Sequence, residues 1–172
     1  MRFKYTIAIG AVLAALSAVA PCQAEPSKAE CLLLSDIAKD SMLELRLSEI
    51  AQDKATSKDV QAFAKRIVTD SSKTSVKLTQ AAKGDRITLP TELAPSQRLA
   101  TTDITATPNK AFDVRYMDEM VAEHKRSAEE VAREIKTGSG NAKKWAAETL
   151  PVIETRKKDA ESLAARLNAH TK

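Results

Sequence analysis

Residues 116–131 read "YMDEMVAEHKRSAEEV". At about 100° per residue the apolar side chains fall on one face, and His124 stands in the middle of it. Extended outward, the stripe runs from Asp113 through Met117, Met120 and Val121 to His124, then on through Ala128 and Val131 to Ile135. This period predicts an amphipathic helix over 109–137, closed by the glycines of "GSG" at 138–140. An earlier stretch, "FAKRIVTDSSKTSVKL" at 63–78, repeats the pattern with Ser71 in the central slot.

Two more segments carry the same period. The first predicted helix covers 28–52, with Leu34, Ile37, Ala38, Ser41, Leu45 and Ser48 on one face. The second opens at Ser57, a candidate N-cap with Asp59 in its first turn, and runs to Lys83, where Gly84 stops it. The fourth covers 141–169, with Trp145, Val152, Ile153, Arg156 and Leu163 facing inward. Pro151 lies inside it and predicts a kink or bulge, because proline lacks the N–H and clashes one turn back.

Between the second and third helices lies "GDRITLPTELAPSQRLATTDITATP", residues 84–108. It holds Pro90, Pro95 and Pro108 and no sustained period, with one short helical turn expected around "APSQRLAT". Short links on either side make two antiparallel helical hairpins, and a connection of this length can travel the height of a bundle. The expected fold is all-α: a ferritin-like antiparallel four-helix bundle whose hairpins are joined by a long crossover at about 84–108. An internal echo supports two related hairpins. "SKDVQAFA" at 57–64 and "SGNAKKWA" at 139–146 place Phe63 and Trp145 in the same slot.

The first 24 residues read as a secretory signal peptide. Arg2 and Lys4 precede a short apolar core, and "CQA" supplies the small-residue end. Cleavage near Ala24 leaves one domain over 25–172 and places the mature protein in the periplasm or outside the cell. Lipid anchoring through Cys22 is disfavoured, because Pro21 stands where a small residue is expected. Cys31 is then the one thiol left, so no internal disulfide forms. No later apolar run is long enough to span a bilayer. Losing Arg2 and Lys4 lowers the 27 basic residues by two against 23 acidic ones, so the net charge falls from +4 to +2. Those charges are interspersed along helices, and aromatic residues make up 3% of the chain. A nucleic-acid surface needs clustered cations and stacking rings, so nucleic-acid binding is not expected.

Each helix sends one polar group to its buried face near mid-length: Glu44, Ser71, His124 and Arg156. Four such groups at a common level predict a polar layer. A di-iron carboxylate bundle needs Glu-x-x-His on two helices. Val121 stands three residues before His124 and Val68 three before Ser71, so neither motif exists. The expected arrangement pairs the Arg156 guanidinium with Glu44, while His124 and Ser71 complete the hydrogen bonds. A nucleophile–His–acid triad would have His124 for its base and Ser71 in a closed core, so hydrolase chemistry is not expected.

The stretches "LELRLSEIAQDKATSKDVQAFAKRIVTDSS" (43–72), "LP" (89–90), "FDVRYMDEMVAEH" (112–124) and "AAETLPVIETRKKDAESL" (146–163) resemble domain-of-unknown-function family 4142. The resemblance implies an exported, ferritin-like bacterial protein. It also implies that a glutamate at position 44 and a histidine at position 124 are typical. Relatives usually carry further histidines after the aspartate of the second helix and beyond the Leu-Pro of the fourth. This chain has Ser71 and Arg156 there. The expected role is therefore non-enzymatic: a binding, stress-related or structural module, monomeric or weakly associating, with no cofactor and an unidentified protein partner at most. The alternative is a metal-binding protein or ferritin-like oxidase with a divalent ion on Glu44, His124 and Asp113.

Overall fold

The computed structural model describes residues 25–169. The expected signal peptide with Cys22, and His170 at the other end, lie outside the described residues. Five helices follow in order: α1 (Lys28–Lys54), α2 (Lys58–Gly84), α3 (Pro95–Ala106), α4 (Asn109–Thr137) and α5 (Gly140–Ala169). Among the described residues there is no strand, so the fold is all-α. None of these helices is long and apolar enough to cross a membrane.

The four long helices close into a ring. α1 packs on α2 and α4, and α5 packs on the same two from the other side. Side-chain pairs give the directions. Glu30 meets Ser139, Glu44 meets His124 and Ser48 meets Tyr116, so α1 and α4 run antiparallel. Asp85 meets Asn141, Ser71 meets Arg156 and Asp59 meets Arg166, so α2 and α5 do too.

The hydrophobic interior is two clusters rather than one. One gathers Leu47, Phe63, Ile67, Phe112, Tyr116 and Met120, and the other Leu34, Ile37, Leu78, Val131, Trp145 and Ile153. Along each long helix the change from one cluster to the other falls near Glu44, Ser71, His124 or Arg156. On α1 the buried leucines of this stretch are Leu43 and Leu47, whereas the expected Leu45 is half-buried. On α5 the expected Val152 is 40% exposed. Both differences are rotations of the buried arc by a fraction of a turn.

Pro151 does not interrupt α5. It and Ala147, whose carbonyl loses its donor to the proline, both face solvent, where water can serve that oxygen.

The connection between α2 and α4 is more ordered than its composition implies. Instead of one helical turn it carries the twelve-residue α3, with Pro95 in its first turn. The Gln97 side chain accepts from Ala94 N–H (3.2 Å) and donates to Asp40 on α1 (2.7 Å). Among α3 residues Ile104 alone is buried, and Leu99 is 72% exposed. A helix that enters the core through one residue has no apolar stripe for a period search to find.

Carboxylates borrowed from neighbouring helices close the ends of the ring. Asp113, on α4, accepts from Thr56 N–H (2.9 Å), Thr56 Oγ1 (2.7 Å) and Ser57 N–H (2.8 Å) at the start of α2. Asp85, just past α2, accepts from the N–H groups of Asn141 (3.0 Å) and Ala142 (2.6 Å) at the start of α5. Gly140 adopts φ +57°, and a Cβ there would stand 2.5 Å from Asp85 Oδ1, so only glycine allows this approach. Negative charge at a helix start matches both the free N–H groups and the helix dipole.

Replacing Asp113 by Ala removes the acceptor of three donors on exposed Thr56 and half-buried Ser57 and should lower unfolding stability by about 1–2 kcal/mol. Urea unfolding followed by circular dichroism measures this, and Asp113→Asn should recover part of the loss.

Candidate functional site

The polar layer is built from one residue per long helix. Glu44 (α1), Ser71 (α2), His124 (α4) and Arg156 (α5) are all buried, none more than 8% exposed. His124 Nε2 lies 3.2 Å from Glu44 Oε1. Arg156 Nη1 lies 3.6 Å from the same oxygen and donates to Ser71 Oγ at 3.3 Å. The structure therefore brings these four together. It does not bring Asp113 to them. That residue is eleven positions from His124 on the same helix, about 16 Å along the axis at 1.5 Å per residue. Its oxygens are committed to Thr56 and Ser57, so the expected set Glu44, His124 and Asp113 is corrected: Asp113 is a capping residue.

The tautomer of His124 follows from its neighbours. Nδ1 lies 2.7 Å from the Met120 carbonyl oxygen, which can only accept, so Nδ1 carries a proton. Nε2 faces a carboxylate oxygen, which also can only accept. Both nitrogens are thus best served by protons. Burial pushes this imidazolium toward losing its charge, but the adjacent Glu44 carboxylate outweighs burial and holds the His124 pKa above 6.5.

This arrangement does not fit a divalent ion. The histidine lone pair is covered by a proton, and the Glu44 oxygen already faces two cationic groups. A doubly charged ion 4 Å from the permanently charged guanidinium would be repelled by about 8 kcal/mol at an effective dielectric of 20. Among the described residues no group of three or more His, Cys, Asp or Glu side chains is placed to hold a metal.

Sequence reasoning missed several buried polar groups. Tyr116, fully buried, exchanges a hydrogen bond of 2.8 Å with Ser48. Burial, opposed by Ser48 and assisted by the Glu44 charge, raises its hydroxyl well above the usual tyrosine range. Glu123, one residue before His124, is 1% exposed and pairs with Arg126, which also contacts Asp40 and Glu119. Glu134 is fully buried, and no donor reaches either oxygen. Glu123 and Glu134 stand eleven residues apart, three helical turns, so they share one edge of α4. That edge is covered because α4 packs against α1, α5 and α3; a search for one apolar stripe per helix passes over it.

These acids hold protons far more tightly than usual. Burial, then the Asp40 charge, moves Glu123 from 4.5 to about 7 against the pull of Arg126. Burial, then the charge of Glu30, moves Glu134 to about 7 as well. A Cβ at Gly138 would lie 1.8 Å from Glu134 Oε1, so the glycine is the space into which this carboxyl folds.

An all-helical protein with a charged layer between two apolar halves is the class that fold and site define. The chain belongs to the family described as Domain of unknown function (DUF4142), whose model matches residues 15–163. No curated protein matches it, and no solved structure does.

Two expected outcomes follow from the charges. Arg156→Met and Glu44→Gln should each lower stability by about 3–5 kcal/mol, because either leaves a buried charge without its partner. The double substitution should restore part of the loss in the same chemical unfolding assay. The second concerns pH. Glu123 and Glu134 have folded pKa values above their unfolded ones, so their contribution is fully present below 4.5 and is lost as pH rises through about 7. The raised His124 pKa acts in the same direction, its contribution being present below 6.5 and lost at higher pH. Thermal unfolding should therefore occur at lower temperature at pH 8 than at pH 5. Glu134→Gln should stabilise the protein by about 1–2 kcal/mol at pH 8 and have little effect at pH 5.

Proposed function

We propose that this protein is an exported, ferritin-like four-helix bundle that acts without a metal centre, as a non-enzymatic binding, stress-related or structural module. In this reading the signal peptide is removed near Ala24, and the mature chain works as a monomer or weak oligomer in the periplasm or beyond it. Its helix faces and the segment over 84–108 are the surfaces left to an unidentified protein partner. The observation that carries the reading is the shared Glu44 oxygen, faced by His124 at 3.2 Å and by Arg156 at 3.6 Å. An internal cation supplies there the positive charge that a metal would supply. The ring of long helices and the connection through α3 support the ferritin-like arrangement. Membership of a family of unknown function supports no particular chemistry.

Anaerobic titration with iron, zinc and copper, followed by desalting and elemental analysis, tests this reading. The expected result is no stoichiometric retention by the wild-type chain. Stoichiometric binding that disappears in His124→Ala would overturn it in favour of a metal-binding or ferritin-like oxidase role centred on Glu44 and His124.

A further inference from the structure

Beside the polar layer is a cavity of about 20 Å³, lined among others by Arg156, Trp145, Thr149, Thr74, His124 and Glu44. That volume holds one particle about the size of a water molecule. Among the residues that line it, buried donors without a hydrogen-bond partner outnumber buried acceptors without one. Arg156 Nε, Arg156 Nη2 and Trp145 Nε1 all lack a hydrogen-bond partner, although Arg156 is 7% and Trp145 6% exposed. These nitrogens can only donate, and a buried donor left unpaired is unfavourable.

Two carboxylates also line the cavity. Glu44 Oε1 lies within ion-pair distance of His124 and Arg156 but accepts no hydrogen bond, and Glu123 is held by Arg126 and Ser127. A water molecule accepts two hydrogen bonds and must also place its own two hydrogens. Glu44 Oε1 is the one buried lining acceptor without a partner, so it can take only one of those hydrogens, whereas a halide ion accepts N–H groups and has none to place. Sulfate and phosphate are too large for the volume. Half-buried Ser41, Thr74 and Ser127 form the outer lining, so access does not require the apolar halves to part.

We propose that this cavity is a binding site for a single monovalent halide-sized anion, chloride in practice, with Arg156 and Trp145 as its donors. The site extends the reading in which an internal cation takes the position of a metal, and it rests on Arg156 being buried. The two ideas nevertheless fail separately. Metal retention in the elemental analysis would overturn the metal-free role, whereas the anion site is decided by halide titration of metal-free protein.

Trp145 is the one tryptophan in the chain, so its fluorescence reports on the site directly. The mature protein is titrated with sodium chloride and sodium bromide against sodium gluconate at constant ionic strength. Emission, melting temperature and the chloride-35 linewidth are followed. A saturable emission change with both halides, and a melting temperature that rises with chloride but not with gluconate, are expected. Trp145→Phe, read by melting temperature and linewidth, should weaken chloride binding roughly tenfold or more through loss of one donor. Identical emission and melting in chloride and gluconate would overturn the proposal and leave water as the occupant. A full chloride response retained in Trp145→Phe would overturn it too. If that variant does not fold, the wild-type comparison of chloride with gluconate still decides the matter.

Discussion

The Arg156 guanidinium cannot leave the interior of this protein without abandoning Glu44, and Glu44 cannot stay there without a cation. That mutual requirement organises the molecule. The pair joins α5 to α1, Ser71 ties the same guanidinium to α2, and His124 brings α4 to the same carboxylate. Apolar side chains tolerate sliding, since one leucine packs much like another. A charge does not. A one-turn slip of α5, about 5.4 Å, would carry the guanidinium into an apolar cluster. Beside an apolar replacement such a pair adds little net stability, but it penalises every wrong alignment of the four helices.

The same logic operates at the ends of the ring. Asp113 and Asp85 accept from N–H groups at the starts of helices other than their own, and Glu30 accepts from Ser139 just ahead of α5. Each contact satisfies donors that the chain must leave open and links two elements at a defined height. Not every buried acid finds such donors. Glu134 finds none, so its lowest-energy form in the interior is the protonated one. The protein thus combines acids that accept N–H groups from other helices with an acid that finds no donor, and Glu123 and Glu134, both raised to about 7, couple folding to pH.

Family membership and chemistry separate at the centre of the bundle. The chain belongs to a family described only by its unknown function, and two of its four central groups are a hydroxyl and a guanidinium. A guanidinium is bound covalently, carries its charge at every accessible pH and has donors but no lone pair to offer. It therefore neutralises Glu44 as an ion would, without coordination chemistry. It also leaves surplus N–H groups pointing into a small space, a feature that an imidazole ligated to a metal would not create.

By itself the sequence determined the four long helices, the cap at Ser57, and the membership of Glu44, Ser71, His124 and Arg156 in one layer, whereas α2 runs through the expected stop at Gly84 to a cap at Asp85. Helices, cap and layer follow from a 3.6-residue period and from local turn chemistry, which act within a few residues. It did not disclose α3 as a twelve-residue helix, because Ile104 is the single residue that helix buries. Nor did it disclose Glu123, Glu134 and Tyr116 as interior groups, because their burial comes from a second edge of α4 that other helices cover. Asp113 is the clearest case. Its position on the inward stripe was legible, but whether its carboxylate would meet a histidine or the N–H groups of Thr56 and Ser57 depended on how far along α4 the start of α2 lies. Only the packing of whole helices sets that distance.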